Sequence, residues 1–223
     1  MSNIAEALSH QAATQGDAVA LIIPKKQTAT GWVDERLTYR ELNDQVEALA
    51  RGLVVKGFSK GTRVALMVPP SPMFFVSFFA LMRAGCVPIL IDPGIGLKPL
   101  KQCLAEAEPE VFMGISKAQW ARRILGWGKA SIRHTITVGS RWASLSDRSL
   151  IQLGQVHKEA TKLPTVSPDD PAAILFTSGS TGIPKGVVYR HRHFQAQVEL
   201  VRETYNIQAG EIDCPTFPPF ALF

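Results

Sequence analysis

The sequence predicts an α/β fold in which layered, mostly parallel sheets are flanked by helices. Segments with helical apolar spacing alternate along the chain with short apolar runs of strand length, which is typical of α/β layers. The repeated strand–helix–strand order favours parallel pairing through right-handed crossovers. Since 46% of the 223 residues are hydrophobic and 19% are charged, the chain also has the composition of a globular protein with a sizeable core.

The first predicted helix follows Thr38, and its start carries the signature of a capping box. Thr38 and Glu41 have the spacing at which each side chain bonds the backbone N–H group of the other residue. Gly57 is expected to end this helix. The apolar stripe that would face the core is Leu42, Val46, Leu49 and Leu53.

A strand over residues 63–68 leads into a second predicted helix. Ser71 followed by Pro72 marks the helix N-terminus, and Gly85 marks its end. The apolar run 73–82 lies inside this helix. Because a membrane-spanning helix needs about 20 apolar residues, this shorter run is interpreted as a buried core helix.

The later elements are defined by similar patterns. Residues from about 139 to 168 show no firm pattern and are interpreted as surface linker. The other predicted elements are strands at 87–91, 111–113, 172–176 and 187–189, a turn at 92–94, and helices at about 98–107 and 193–205.

The net charge and the cysteine content of the chain indicate its cellular compartment and the partners it would bind. The net charge of +5 is mild, and no nucleic-acid partner is expected. The widely spaced cysteines Cys86, Cys103 and Cys214 offer neither a C-x-x-C metal pair nor a disulfide framework, which favours a reducing cytoplasm. The chain start lacks a basic region followed by an apolar stretch, so no secretory signal is predicted.

One part of the chain is strongly basic. Residues 117–148 contain seven Lys or Arg residues and a single acid, Asp147. Trp120, Trp127 and Trp142 are interleaved with these cations. A solvated basic face is the simpler interpretation, whereas docking to a partner enzyme or to a membrane surface is the functional one.

The strand at 172–176 runs directly into a polar loop, Thr177-Ser178-Gly179-Ser180-Thr181-Gly182-Ile183-Pro184-Lys185-Gly186. Glycines let backbone N–H groups approach a ligand closely, hydroxyl groups share phosphate oxygens, and Lys185 is the loop's only charge. Composition alone would also fit a flexible linker. A Walker A loop is excluded, because that motif ends in Gly-Lys-Ser/Thr and enters a helix, whereas this loop enters a predicted strand.

Phe176 through Gly186 resembles, without a gap, the phosphate-loop signature of the AMP-forming synthetase and ligase superfamily. That superfamily includes acyl-CoA synthetases, peptide-synthetase adenylation domains and luciferases. The segment 37–42 resembles an earlier signature of the superfamily. Arg83-Ala84-Gly85 through Pro88, together with Asp92-Pro93, resembles a second signature, in the same order. The resemblance therefore extends over essentially the whole chain.

The resemblance implies ATP and Mg²⁺ as cofactors and adenylation of a carboxylic acid as the reaction. The implied cofactor-binding residues are Thr177, Ser178, Gly179, Ser180, Thr181, Gly182 and Lys185. Thr181 is also the implied neighbour of the magnesium ion, and Lys185 and His191 are the implied catalytic residues. Judged without the resemblance, a lone histidine before a helix is more often a capping or surface residue.

Two segments indicate a subfamily within this superfamily. Residues 189–194 have His193 where the superfamily commonly has Asn, and residues 215–223 place Ala221 where many acyl-CoA ligases have histidine. Both segments, with residues 91–96, resemble the β-lactone synthetases of bacterial long-chain olefin biosynthesis. Such enzymes adenylate a long-chain 2-alkyl-3-hydroxy acid, whose hydroxyl then closes a β-lactone. A long-chain fatty acyl-CoA ligase or an acyl-AMP ligase is the alternative.

The resemblance also implies a domain assignment. Residues 1–223 match the N-terminal portion of the AMP-binding large domain, and the remainder of that domain and a mobile C-terminal domain are expected beyond Phe223. On that expectation this portion alone is inactive. The alternative of another class is a noncatalytic nucleotide-binding protein. Neither acyl chain length nor oligomeric state is predicted.

Overall fold

The computed structural model describes residues 3–29, 31–140, 143–177 and 184–214. Helices and strands alternate through most of these residues, as predicted. The helices are α1 (Glu6–Gln15), α2 (Tyr39–Val55), α3 (Pro72–Arg83), α4 (Leu97–Ala107), α5 (Ser116–Leu125), α6 (Asp147–Val156) and α7 (His191–Thr204). The strands are β1 (Val19–Thr28), β2 (Gly31–Thr38), β3 (Arg63–Met67), β4 (Val87–Leu90), β5 (Val111–Ile115), β6 (His134–Val138), β7 (Pro171–Thr177) and β8 (Lys185–Arg190).

Within the described residues, six strands pair in the order β6-β5-β3-β4-β7-β8. All neighbouring pairs are parallel except β7 with β8, which are antiparallel. Strands β1 and β2 form a separate antiparallel ribbon. The predicted α/β class with a mostly parallel sheet is therefore confirmed.

Helices cover the six-stranded sheet on both faces, because its central strands are apolar on both sides. On β3, Val64 and Leu66 contribute to one core cluster while Ala65 between them contributes to the other. The first cluster also contains apolar residues of α1, α2, α3 and α6, and the second contains those of α4. Near-continuous burial is expected for parallel strands enclosed by helices.

The two helices with clear N-terminal signals are confirmed. At α2, the Thr38 hydroxyl accepts a hydrogen bond from the Glu41 N–H, and the Glu41 carboxylate accepts one from the Thr38 N–H at 2.9 Å. At α3, the Ser71 hydroxyl accepts from the Phe74 N–H, and the apolar run 73–82 packs in the core. No helix among the described residues has the length and apolarity needed to cross a membrane.

The interpretation of residues 139–168 as surface linker is wrong, since α6 lies within this range and packs tightly on α2. Gly52 and Gly154 let the two helices approach. A Cβ added at Gly52 would lie 2.0 Å from the Leu150 carbonyl oxygen, and one at Gly154 would lie 1.8 Å from the Ala48 carbonyl oxygen. Contact between backbones, rather than a strong local pattern, places this helix.

The thiols of Cys86, Cys103 and Cys214 are all free. Cys86 and Cys103 are buried and Cys214 is exposed. Burial, together with nearby Glu110, raises the pKa of the Cys86 thiol to about 12. Burial also raises the pKa of Cys103, to about 11. Both buried thiols are therefore protonated and unreactive at neutral pH.

Candidate functional site

Strands β7 and β8 bring the two ends of the predicted phosphate loop together. In the antiparallel register, Phe176 pairs with Gly186 and Thr177 pairs with Lys185. The loop residues Ser178, Gly179, Ser180, Thr181 and Gly182 lie outside the described residues, as does Ile183. The hairpin confirms the predicted strand after the loop, which is the feature that excluded a Walker A helix.

Lys185 is the first residue of β8, and its side chain is exposed. It forms no ion pair with any described residue. An exposed ammonium group suits a polyphosphate, which needs a nearby cation. The Lys185 side chain is therefore compatible with the predicted phosphate contact.

Glu106 on α4 contacts the strand directly after the loop. Its Oε1 accepts a hydrogen bond from the Gly186 N–H at 3.4 Å. There is little room for a side chain here, since a Cβ on Gly186 would lie 3.0 Å from the Phe176 ring. Sequence reasoning missed Glu106, because the contact joins residues 80 positions apart and no local pattern signals it.

His191, the other predicted catalytic residue, is the first residue of α7 and is fully buried. Its Nδ1 accepts a hydrogen bond from the Ile4 N–H at 3.3 Å, and its buried Nε2 has no hydrogen-bond partner among the described residues. Burial lowers the pKa of the imidazole, while the charges of Asp170 and Glu6 oppose that shift. The imidazole is thus held neutral with its proton on Nε2.

Asp169 and Asp170, which precede β7, contact the start of α7. Asp170 accepts the His191 N–H at its backbone oxygen, and its carboxylate lies 2.6 Å from the Lys60 ammonium. The Lys60 hydrogen bond, aided by the Ser167 N–H, lowers the pKa of the Asp170 carboxyl. Asp169 pairs with Arg192 on the first turn of α7. These contacts fix the end of β8 that is remote from the loop.

Lys185 and His191 are not adjacent. They lie at opposite ends of β8, and six residue steps along an extended strand correspond to about 20 Å. The structure pairs Lys185 with Thr177, and it places His191 in contact with Ile4 and Asp170. Glu106 contacts Gly186, the residue after Lys185. The catalytic role that the resemblance implies for His191 stays a prediction.

The predicted magnesium neighbour, Thr181, lies outside the described residues. Within the part of the chain that is described, no group of three or more His, Cys, Asp or Glu side chains is placed to hold a metal ion. The magnesium assignment therefore rests on the loop sequence.

Residues 8–220 match the AMP-binding enzyme family. This chain belongs to that family. The match spans the hairpin with Lys185, the Glu106 contact and His191, so each of these features lies inside the family's domain.

Two relatives from this AMP-binding family are similar over essentially the whole chain. The olefin β-lactone synthetase of Xanthomonas campestris pv. campestris is 46% identical over 100% of this chain, and that of Stenotrophomonas maltophilia is 46% identical over 99%. In both comparisons the chain spans 40% of the relative's length.

A solved structure confirms the fold at lower identity. A long-chain-fatty-acid-CoA ligase from Archaeoglobus fulgidus superimposes with a TM-score of 0.77 at 23% identity. The superposition covers 92% of this chain and 40% of that one. The six-stranded sheet and its helices are thus those of an AMP-binding enzyme.

Proposed function

We propose that the protein containing this chain adenylates a long-chain 2-alkyl-3-hydroxy acid with ATP and closes it to a β-lactone. The observation that carries the proposal is the 46% identity to two olefin β-lactone synthetases along the whole chain. The segments 91–96, 189–194 and 215–223 support the same subfamily by resemblance.

In the first step, a carboxylate oxygen of the acid attacks the α-phosphorus of ATP, and pyrophosphate leaves as the acyl-adenylate forms. Residues 177–182 and Lys185 hold the β- and γ-phosphates, and the Lys185 ammonium offsets the charge that builds up on the leaving pyrophosphate. Mg²⁺ supplies further charge neutralisation when it is bound, with Thr181 as its expected neighbour.

In the second step, the 3-hydroxyl oxygen attacks the acyl carbon and AMP leaves. The hydroxyl proton passes to a base, and no CoA is consumed. Because the hydroxyl and the carbonyl belong to one molecule, the attack has a high effective molarity. The mixed anhydride with AMP provides the leaving group that the strained ring requires.

Product analysis with the whole protein, as its full reading frame encodes it, tests this proposal. The protein is incubated with ATP, Mg²⁺ and a 2-alkyl-3-hydroxy acid, with and without CoA, and products are identified by mass spectrometry. A β-lactone formed without CoA is the expected result. A thioester that forms only with CoA would instead identify an acyl-CoA ligase.

A second substrate, matched to the first, separates adenylation from ring closure. The corresponding 2-alkyl acid without the 3-hydroxyl should release pyrophosphate and stop at the acyl-adenylate, since it has no internal nucleophile. If neither acid releases pyrophosphate although the protein is folded, adenylation itself is contradicted, and a noncatalytic nucleotide-binding role is favoured.

A further inference from the structure

Helix α5 exposes two large apolar side chains to solvent. The side chain of Trp120 is 65% exposed and that of Ile124 is 78% exposed. The two residues are four positions apart, so they lie on one face of the helix, one turn from each other. On either side of this pair, Lys117 and Arg123 are exposed. We call these four residues the α5 ridge.

The ridge is separate from the face that holds α5 in the fold. Ala118, Ala121 and Leu125 pack on the core cluster that α4 also contributes to. Arg122 also lies on the inner side, with its guanidinium 5.7 Å from the centre of the Phe112 ring. Trp127, just after the helix, is buried. The core therefore needs none of the four ridge residues.

The chain segment that carries the ridge is basic. No Asp or Glu occurs between Glu110 and Asp147 in the sequence, and Asp147 is buried and accepts the Gly139 N–H. Lys129 and Arg133, which follow α5, are exposed. This arrangement attracts an anionic surface and repels a cationic one.

A shallow depression of about 400 Å³ adjoins the ridge between α5 and β6. Trp120, Arg123, Thr135 and Thr137 are among the residues that line it. Guanidinium and hydroxyl groups are donors that suit a phosphate oxygen. The lining of the depression is therefore compatible with a lipid phosphate.

We propose that the α5 ridge docks the protein on an anionic phospholipid bilayer. Trp120 and Ile124 enter the boundary between headgroups and acyl chains, and Lys117, Arg123, Lys129 and Arg133 contact lipid phosphates. Tryptophan beside Lys and Arg on a surface helix is typical of interfacial membrane binding. Trp and Arg also occur at protein–protein interfaces, but those interfaces are depleted in lysine, whereas Lys117 and Lys129 both lie at or near the ridge.

The ridge is remote from Lys185. Strand β6, beside α5, and strand β8, which begins with Lys185, are at opposite edges of the six-stranded sheet. Five strand spacings separate them, which corresponds to about 24 Å. The residues proposed for membrane contact are therefore distinct from Lys185, and the binding test needs neither ATP nor acid substrate.

Vesicle flotation of the whole protein tests the proposal. Vesicles of phosphatidylcholine alone are compared with vesicles that also contain phosphatidylglycerol, and Trp fluorescence is recorded in parallel. We expect binding to the anionic vesicles only, weakened by salt. The double variant Trp120→Ala/Ile124→Ala and the double variant Lys117→Glu/Arg123→Glu should each bind about tenfold more weakly.

Matched controls separate the ridge from general surface properties. Trp32→Ala removes a tryptophan that is 61% exposed on the β1–β2 ribbon, and Lys158→Glu reverses an exposed charge after α6. Both should bind vesicles as the unchanged protein does, and circular dichroism verifies that every variant is folded.

Three results would overturn the proposal: no binding to anionic vesicles, equal binding to both vesicle types, or unchanged binding by the ridge variants. Suppose that the protein does not bind vesicles, and that the ridge variants no longer co-purify with a protein that the unchanged protein retains. The ridge is then a protein-docking surface instead.

Discussion

The imidazole of His191 accepts a hydrogen bond from the backbone N–H of Ile4, which joins residues 187 positions apart. Asn3 strengthens the same junction, since its Nδ2 donates to the Met82 carbonyl at 2.9 Å. The start of α7 is thereby tied to the segment that precedes α1 and to the end of α3. Because Nδ1 accepts in this contact, the junction requires a neutral imidazole.

Stability should therefore fall in mild acid. An imidazole in the unfolded chain titrates near pH 6.5, whereas burial lowers the pKa of His191 in the folded state. Between those two values the unfolded chain binds more protons, so protonation favours unfolding as the pH drops below about 6.5. Above about pH 6.5 the neutral imidazole makes its full contribution to the free energy of unfolding. Urea unfolding of the whole protein from pH 5 to pH 8 measures this dependence.

His191→Gln should flatten this pH dependence, even though it lowers stability overall. His10→Gln on the exposed side of α1 is the matched control and should keep the original slope. The coupling is contradicted if His191→Gln and the unchanged protein lose stability equally between pH 7 and pH 5.

Lys185→Ala in the whole protein should slow adenylation by about 10²-fold or more, because the leaving pyrophosphate loses the only cation of the loop. ATP–pyrophosphate exchange measures the effect. Lys158→Ala removes a comparable exposed ammonium far along the chain and should have no effect. An unaltered exchange rate in Lys185→Ala would refute the phosphate assignment.

Glu106→Ala should raise the KM for ATP about two- to tenfold, because a single hydrogen bond of roughly 0.5–1.5 kcal/mol to Gly186 is lost beside Lys185. Glu106→Gln keeps an oxygen acceptor and should retain most of the affinity, which distinguishes the hydrogen bond from the charge. Gln102→Ala, exposed on the same helix, is the control. Equal KM values for all three variants would show that the contact does not position the loop.

Gly154→Ala should destabilise the fold, although alanine is the better helix former by about 1 kcal/mol. The added Cβ would lie 1.8 Å from the Ala48 carbonyl oxygen, so the two helix backbones must separate. Overpacking of this kind costs roughly 1–3 kcal/mol or more and outweighs the gain in propensity. Thermal unfolding measures the difference, with Gln152→Ala on the exposed side of α6 as control. A raised Tm for Gly154→Ala would contradict the close crossing.

Elements with strong local signals could be predicted from the sequence. The Thr38–Glu41 capping box and the Ser71-Pro72 start determine α2 and α3 through contacts within one helical turn. Helix α6 could not be predicted in the same way. Its capping partner is Ser149 rather than Glu, and Gly154 lowers helix propensity, so only packing against Gly52 explains its position.

The candidate site likewise contains features with a local sequence signal and features that depend on long-range contacts. The loop between Thr177 and Gly186 is a contiguous motif, so sequence alone locates it and predicts the strand that follows. Glu106 and the burial of His191 depend on pairings across 80 and 187 residues, which leave no local pattern. For His191 the local pattern favoured a cap or a surface position, and the structure instead buries it.

The antiparallel return from β7 to β8 also has a consequence for how the proposed site would neutralise phosphate charge. Where a phosphate loop opens a helix, the positive end of the helix dipole supplies part of the neutralisation. Among the described residues, the next helix after β7 begins at His191, at the far end of β8. On the proposed assignment of residues 177–186, nucleotide binding depends on the Lys185 ammonium, bound cations and individual backbone N–H groups. We expect its affinity to decrease with ionic strength more steeply than a helix-capped phosphate site would show.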